Sequence, residues 1–407
     1  GGSKMVPVGV GLLIIGFLIV VYSISQTFFS MSVLDDEQNG FRASRSCIDH
    51  IFSLCTILRN RKSLGKSTFL AFVDFKKAFD CVDQSLLLFK LQKVGVVGKM
   101  YSAISAMYKC PKARVILNNL STDWFPCPSG VKQGDTISPT LFSVFVNDLI
   151  TELNMSGFGI ELDVDLALAC LAYADDIVLL APDENHLQSL VNIVHQWCTD
   201  WRMEANLTKT NIMHVRKQQV RQTNFEFNFC SEYKYLGATL NEHLNFEQTA
   251  KELADPAGRA LGCIITKMIK NGGFPAIVYR TLYECCVCSI SDYAGEVWGN
   301  HEYESTKKLH NRAIRGYLGV PKATPIVGLL LEMNWPDPRT RTQIRMVRQY
   351  HRIKKMENTR LTKKILHWDI KLGTEKNIPT WSADVKAIFE RNDVLNSYEN
   401  VQQRNIK

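Results

Sequence analysis

The chain has 407 residues, of which 46% are hydrophobic and 22% charged, with a formal net charge of +8. These values are those of an ordinary globular protein with a sizeable core and two or three lobes. The twelve cysteines lack the spacing of metal ligands, which excludes a zinc knuckle and favours free thiols in a reducing compartment.

The first segment of the chain is strongly apolar. No charged side chain occurs between Lys4 and Asp35, and the run VGVGLLIIGFLIVVY has the length and hydropathy of a membrane span. We therefore predict a hydrophobic leader at residues 1–34, with a candidate membrane helix at residues 5–34. A signal peptide is the alternative, although Ser23-Ile24-Ser25 is a poor cleavage site.

Helical and strand patterns alternate after the leader. Ser46–Arg61 has helical spacing, and TFLAFVDF (68–75) has the pattern of a buried strand. Three further helices are predicted from capping signals at Asp83, at Ser138-Pro139 and at Asp183.

The second half of the chain begins with short strands. NIMHV (211–215) and YKYLGATL (233–240) are predicted as one short strand each, and the pattern is purely helical from Thr249 to Gly319. The order of elements predicts an α+β lobe in which helices back an antiparallel sheet, followed by an all-helical lobe.

Two aspartates lie side by side in the apolar run LAYADDIVLLA (171–181), at Asp175 and Asp176. Burying a carboxylate is costly unless it is paired or coordinates a metal. Asp74, at the end of TFLAFVDF, has a similar setting, so we expect the three side chains to converge across neighbouring strands and to bind Mg²⁺. Two such ions would support phosphoryl transfer. The alternative is a simple hairpin tip, since Asp-Asp is common in turns.

Six segments occur in an order that resembles the motifs of a reverse transcriptase, and specifically those of LINE-type, non-LTR retrotransposons. They are EQNGFRASRSCIDHI (37–51), FVDFKKAFDCVD (72–83), GVKQGDTISPTLF (130–142), YADD (173–176), LTKTN (207–211) and KYLGATL (234–240). The resemblance implies a right-hand polymerase fold and RNA-directed addition of deoxynucleotides to a primer 3′-OH. It also implies more fingers sequence ahead of residue 37, so the chain looks N-terminally truncated.

The resemblance assigns roles to individual residues. It implies that Asp74 and Asp175 hold two Mg²⁺ ions with Asp176 beside them, and that Lys209 protonates the leaving pyrophosphate. Phe79 would lie against the sugar 2′ position and reject a ribose. The other implied roles are contacts to the nucleotide or template by Gln133 and Gly134, contacts to phosphates by Arg42 and Arg45, and a primer-gripping turn at Tyr235, Leu236 and Gly237. Core packing for Phe79 and an exposed strand position for Lys209 remain open.

The resemblance also implies the domain order and the partners. The predicted domains are partial fingers and palm at 35–240, a helical thumb at 241–320 and a basic region at 321–407. The partners would be an RNA template, a DNA primer and deoxynucleoside triphosphates, with no obligate protein partner. Membrane association through residues 5–34 is a separate expectation, which follows from the apolar leader and not from the resemblance. A polymerase core is expected in the nucleus or cytoplasm.

Two alternative functions follow from the same residues. One is a membrane-anchored protein that uses the fold as a scaffold, which only residues 5–34 support, and the other is a relic. A catalytically inactive, retrotransposon-derived relic that binds nucleic acid would keep the palm with incomplete fingers. The basic stretch Arg339–Lys364 suits a polyanionic partner, but on charge alone it is equally a solvated helix face.

Overall fold

A computed structural model describes residues 33–118, 120–206, 209–217 and 229–391. These residues form two compact units. The first contains residues 33–47 and Phe69–Ile212, and the second contains Ile48–Thr68, 213–217 and 229–391.

Among these residues, no helix is both long and apolar enough to cross a membrane. The candidate membrane helix predicted from the sequence lies outside them, apart from Val33 and Leu34.

Strands and helices alternate through the first unit, and helices dominate the second. The strands are β1 Thr68–Val73, β2 Lys112–Ala113, β3 Ile116–Leu117, β4 Leu120–Ser121, β5 Phe125–Pro126, β6 Ile160–Asp163, β7 Leu166–Leu168, β8 Cys170–Tyr173, β9 Asp176–Ala181, β10 Asn211–Val215, β11 Glu232–Tyr235 and β12 Ala238–Asn241. The helices are α1 Cys47–Ser63, α2 Ala78–Cys81, α3 Gln84–Lys93, α4 Gly98–Tyr108, α5 Ser138–Met155, α6 Glu184–Asp200, α7 Glu247–Lys270, α8 Ala276–Leu282, α9 Ser289–Ser291, α10 Gly295–Trp298, α11 Glu304–Leu318, α12 Ile326–Met333, α13 Pro338–Lys354, α14 Leu361–Glu375 and α15 Trp381–Arg391, with a π-helical turn at Tyr283–Cys288.

An antiparallel sheet forms the centre of the first unit. Strand β9 pairs with β8 on one side and with β1 on the other, and β10 is the fourth strand of the sheet. All six residues of β1 are buried, as are the five residues of β9 from Ile177 onward. The continuous apolar runs that predicted these strands therefore form the core, as expected for a sheet covered on its faces.

Helices α5 and α6 back this sheet. Helix α5 contacts β8 and α6, and α6 contacts β9. Leu141, Phe142, Phe145 and Leu149 supply the buried face of α5 at the 3–4 residue spacing of an amphipathic helix. The α+β polymerase fold with an antiparallel palm sheet backed by helices is confirmed.

The predicted helix caps have different outcomes. The side chain of Asp83 accepts hydrogen bonds from the backbone N–H groups of Ser85 and Leu86, and Asp183 caps α6 through the N–H of His186. The prediction for Ser138 is wrong, because Ser138 is the first residue of α5 and the capping position falls on Ile137. Proline in the first turn still starts the helix, since it needs no N–H partner there.

The second unit contains the other element that was predicted incorrectly. YKYLGATL is not one strand but parts of two, β11 and β12, which pair as a hairpin around Leu236 and Gly237. Both turn residues have positive φ, at 47° and 86°, which is the geometry of a tight hairpin turn. The resemblance implied a primer-gripping turn at these residues, and the structure has a turn there, whereas the contact to a primer remains a prediction.

Several arginines of the basic stretch are committed to ion pairs within the second unit. Arg341 and Arg345 pair with the buried carboxylate of Asp292, and Arg352 pairs with the buried carboxylate of Asp49. A buried carboxylate needs such partners to offset its lost hydration. The sequence allowed this basic stretch to bind a polyanion or to face solvent. Part of its positive charge instead pairs with buried carboxylates within the fold.

Candidate active site

The register of the sheet brings two of the predicted aspartates together. Val73 of β1 pairs with Ile177 of β9. Because the strands are antiparallel, the next residues outward, Asp74 and Asp176, lie opposite each other at the same end of the sheet. The backbone carbonyl of Asp74 accepts a hydrogen bond of 2.7 Å from the N–H of Asn206, which fixes the end of β1.

The third aspartate lies in the turn between β8 and β9. Tyr173 pairs with Asp176, so Ala174 and Asp175 form a two-residue hairpin turn. Ala174 has a φ of 58°, a left-handed conformation that residues with a Cβ seldom adopt. The two interpretations of the Asp-Asp pair are therefore compatible, since the carboxylates are both a hairpin tip and part of a cluster.

The three carboxylates repel one another. The pKa of Asp175 is raised, first by desolvation and also by the charge of Asp74. Desolvation, followed by the charges of Asp175 and Asp74, raises the pKa of Asp176 to about 6. The side chain of Asp176 is accessible to solvent, yet neighbouring protein atoms exclude much of the water that would hydrate its carboxylate. The cluster thus concentrates mutually repelling negative charge, which a cation would stabilise.

Lys209 lies beside this cluster. Its Nζ is 4.0 Å from Oδ2 of Asp74, and its side chain is 70% exposed. The turn that begins at Asn206 sets this position, because Asn206 accepts hydrogen bonds from the N–H groups of Lys209 and Thr210 and donates to Asp74. Lys209 is thus exposed, as the alternative interpretation required, but it lies in a turn rather than in a strand, and it is also next to Asp74.

Phe79 forms an aromatic cluster with Phe41 and Phe142. Its ring stacks on the buried ring of Phe142, with centroids 4.4 Å apart, and meets Phe41 edge-on at 6.4 Å. One side of the ring is packed while the residue remains half-buried. The structure therefore combines core packing of Phe79 with partial exposure.

The loop that carries Gln133 and Gly134 is attached to the segment around Phe79. The N–H of Val131 donates to the carbonyl of Phe79, and Nε2 of Gln133 donates to the carboxylate of Asp80 at 3.0 Å. Gly134 has a φ of 84°. The sequence did not single out Asp80 as a partner of Gln133, although both residues lie in the quoted motifs.

Arg42 and Arg45 have partners within their own segment. Arg42 donates to the carbonyls of Asp35 and Gln38, at 2.6 and 2.8 Å. Arg45, whose side chain is 6% exposed, pairs with the carboxylate of Asp36 and donates to Asn39. Their contacts to phosphate remain a prediction, and the contacts that the structure shows hold residues 35–45 in place.

The predicted primer grip lies in the second unit. Leu236 and Gly237 form the tip of the β11–β12 turn, and the carbonyl of Leu236 accepts a 2.8 Å hydrogen bond from the hydroxyl of Tyr293. Tyr235 is buried, and its hydroxyl lies 2.8 Å from Nε2 of His50. Burial lowers the pKa of His50 to about 3, so this histidine is neutral at pH 7. The buried Tyr235 therefore anchors the residue that precedes the turn.

The donor set at the aspartates fits magnesium. Within the described ranges, no group of three or more His, Cys, Asp or Glu side chains is arranged to hold a metal ion. Mg²⁺ does not require such a group, because it usually binds one or two carboxylates and completes its shell with water and substrate phosphates. Hard carboxylate oxygens under mutual repulsion meet that requirement.

The antiparallel palm and its aspartates define the class of right-handed nucleic acid polymerases. A comparison with protein families identifies the member of that class. Residues 15–240, more than half of the chain, match the family described as "Reverse transcriptase (RNA-dependent DNA polymerase)". The chain therefore belongs to the reverse transcriptase family, whose members are nucleotidyltransferases.

Similar curated proteins come from mobile elements, which confirms the resemblance to non-LTR retrotransposons. A probable RNA-directed DNA polymerase from transposon BS of Drosophila melanogaster is 25% identical over 71% of this chain and 33% of its own length. A Pol polyprotein from the type-1 retrotransposable element R2 of Nasonia vitripennis is 22% identical over 72% of this chain and 29% of its length. The chain thus spans about a third of the length of these relatives.

Among solved structures, apo telomerase from Candida tropicalis is similar with a TM-score of 0.46 and 10% identity. The similarity covers 88% of this chain and 58% of the telomerase chain.

Proposed function

We propose that this chain adds deoxynucleotides to the 3′-OH of a DNA primer on an RNA template, by a two-metal mechanism. The observation that carries the proposal is the convergence of Asp74 and Asp176 at paired strand ends, with Asp175 in the adjoining turn and Lys209 4.0 Å from Asp74. Family membership supplies the reaction class.

The carboxylates and the lysine have complementary tasks. In the reaction, the primer 3′-OH loses its proton to solvent and its oxygen forms a bond to the α-phosphorus, the bond from that phosphorus to the bridging oxygen breaks, and pyrophosphate leaves. Asp74 and Asp175 would hold two Mg²⁺ ions with Asp176 beside them, and bound Mg²⁺ supplies Lewis-acid activation and charge neutralisation. Lys209 gives a proton to the leaving pyrophosphate, which its exposed ammonium can reach from beside Asp74.

Residues around the aspartates would select and orient the substrates. Phe79, supported by the stacked ring of Phe142, presents a rigid surface that excludes a 2′-hydroxyl. Gln133, held by Asp80, faces the nucleotide or template base. In the second unit, the tip formed by Leu236 and Gly237 holds the primer. Arg42 is half-buried and retains surface for a phosphate contact, whereas Arg45, whose side chain is 6% exposed, mainly anchors the segment.

Primer extension tests this proposal. The full chain is incubated with an RNA template, a DNA primer, deoxynucleotides and Mg²⁺, alongside Asp74→Asn and the control Asp165→Asn. Asp165 is an exposed aspartate between β6 and β7, so its neutralisation tests the effect of removing a carboxylate away from the site. We expect extension by the wild type and by Asp165→Asn, and a loss of at least about 100-fold in Asp74→Asn.

The same assay separates the enzyme from a relic. Affinity for the primer–template is measured for each variant by anisotropy. We expect Asp74→Asn to keep its affinity, because binding rests on many phosphate contacts. If the folded wild type binds primer–template but does not extend it, the proposal fails and the chain is a nucleic-acid-binding relic.

A further inference from the structure

A buried glutamine contacts the turn that carries Asp175. Gln38 is 0% exposed, and its Oε1 accepts a 2.8 Å hydrogen bond from the N–H of Ala174. Its Nε2 lies 3.4 Å from the carbonyl oxygen of Ala174, to which it donates. The side-chain amide of Gln38 therefore engages both backbone polar groups of one turn residue, 136 positions away in sequence.

The segment around Gln38 runs alongside β8 and joins it through an isolated β-bridge. Gln38 forms a parallel bridge with Ala172, and two backbone hydrogen bonds join Ala172 to Glu37 and Asn39. Gly40 packs so closely that a Cβ at this position would overlap the backbone nitrogen of Ala174. The N–H of Gly40 also donates to Oε1 of Gln38 at 2.9 Å, which orients the amide.

The conformation of Ala174 explains why this contact matters. Its φ of 58° is costly for a residue with a Cβ. Such strain persists only where the surrounding structure determines it. The β8–β9 ladder fixes the residues on either side of the turn, and Gln38 fixes Ala174 within it.

We propose that Gln38 is a positioning residue that holds the Ala174–Asp175 turn in its left-handed form and thereby sets the direction of the Asp175 carboxylate. Gln38 touches the turn backbone and acts on the reaction only through Asp175. Arg42 contributes by holding the carbonyl of Gln38, and Arg45 by holding Asn39. The catalytic part of this inference rests on the proposed function, whereas the clamp on the turn does not.

Amide hydrogen exchange at Ala174 tests the clamp directly. Gln38→Met keeps the volume of the side chain and removes its hydrogen bonds, and the full chain is used throughout. We expect exchange at Ala174 to increase at least about tenfold, because this N–H loses its partner. The control is Asn154→Ala, since Oδ1 of Asn154 accepts from the N–H of Ala169 at the other end of β8, at 3.1 Å. It should expose Ala169 and leave Ala174 protected.

A second variant guards against local misfolding of Gln38→Met. Gly40→Ala retains the glutamine and forces the segment away from the turn, so it should also deprotect Ala174. In primer extension at saturating substrates, we expect both variants to lose about 10–100-fold in kcat, the range for residues that orient metal ligands. Affinity for primer–template should change by less than about twofold.

The outcomes distinguish the two proposals. An inactive wild type defeats the proposed function, whatever the exchange data show. Unchanged exchange at Ala174 in both variants overturns the clamp. Increased exchange with kcat equal to that of an active wild type overturns the positioning role, because the turn would then be mobile without consequence.

Discussion

The first unit contains two hairpins whose turns are built in opposite ways. The aspartate hairpin, Cys170–Ala181, has buried strands and a left-handed Ala174 in its turn. The exposed hairpin, Lys112–Pro126, pairs Leu117 with Leu120 and has a left-handed Asn118 after Leu117. Asparagine can stabilise this conformation by hydrogen bonds from its own side chain, whereas alanine has no polar side chain to do so. The exposed turn is thus encoded locally, and the aspartate turn depends on Gln38.

The strands of the two hairpins also differ, because those of the aspartate hairpin are buried and those of the exposed hairpin are not. Leu171 and Val178 face each other in the aspartate hairpin and are fully buried. Leu120 is 77% exposed, and Arg114 lies over the exposed ring of Trp124 at 4.9 Å. A buried hairpin can contain a strained turn and a charge cluster because the packing of its strands offsets the free energy of the strain. An exposed hairpin must adopt conformations that its own residues favour.

The largest expected difference concerns activity. Asp175→Asn removes a proposed metal ligand from the aspartate hairpin and should reduce primer extension by at least about 100-fold. Asp123→Asn makes the same chemical change in the exposed hairpin and should alter extension by no more than about twofold. Comparable losses in both variants would show that the two hairpins do not differ in function. The measurement is extension rate at fixed primer–template and nucleotide concentrations.

A matched pair of leucines tests the contribution of burial. Leu171→Ala opens a cavity in the core and should cost about 3 kcal/mol of unfolding free energy. Leu120→Ala removes the same atoms from an exposed strand and should change it by less than about 0.5 kcal/mol. Unfolding in urea is monitored by amide hydrogen exchange in β1 and β9, so that the measured free energy refers to the first unit. A cost for Leu120→Ala near that of Leu171→Ala would mean that the exposed hairpin is covered in solution.

The charge cluster predicts a pH dependence for stability. In the folded chain the pKa of Asp176 rises from an ordinary value of 3.8 to about 6. A carboxyl with a raised pKa binds its proton more tightly when folded, so its stabilising contribution is complete below pH 3.8 and is lost as the pH rises through 6. In metal-free buffer, Asp176→Asn should therefore have a higher Tm than the wild type at pH 8.

The advantage of Asp176→Asn should shrink as the pH falls toward 4. Thermal unfolding of both proteins between pH 4 and pH 8 provides the measurement, with Asp123→Asn as the hairpin control. A Tm difference that does not vary with pH would rule out desolvation and repulsion at Asp176 as its cause.

The smallest expected effects come from glycine in the two turns. Ala174→Gly removes a Cβ from a left-handed residue and should gain about 1 kcal/mol or less, since the added freedom of the unfolded chain offsets part of the relief. Asn118→Gly should produce no gain beyond about 0.5 kcal/mol, because asparagine already tolerates the conformation. Equal gains at the two positions would contradict the strain assigned to Ala174. Both values are read from urea denaturation of the first unit.

Much of the fold could be predicted because local patterns specify it. The apolar run at 68–75 predicted β1, and the capping signals at Asp83 and Asp183 predicted the starts of α3 and α6. The prediction failed at Ser138, where a buried isoleucine occupies the capping position. At YKYLGATL the residue pattern predicted a strand, and only the resemblance to the family indicated the turn at Leu236 and Gly237.

The site was predicted in part for the same reason. Asp74, Asp175 and Asp176 stand out because carboxylates at the ends of apolar strands demand a partner. No comparable signal marks the contact of Gln38 with Ala174 or of Asp80 with Gln133. An amide or carboxylate in a polar motif is compatible with solvent, and only its position in the folded chain reveals its partner.

The sequence by itself predicted an α+β lobe and three aspartates in or beside apolar runs, and its motif order indicated the reverse transcriptase family, because periodicity, caps and motifs are local properties. The tertiary structure decided what those residues touch. It placed Asp74 opposite Asp176 through strand register, paired arginines with the buried carboxylates of Asp49 and Asp292, and placed Gln38 on the aspartate turn. These contacts join residues far apart in sequence, and their energies arise only when folding removes water from between them.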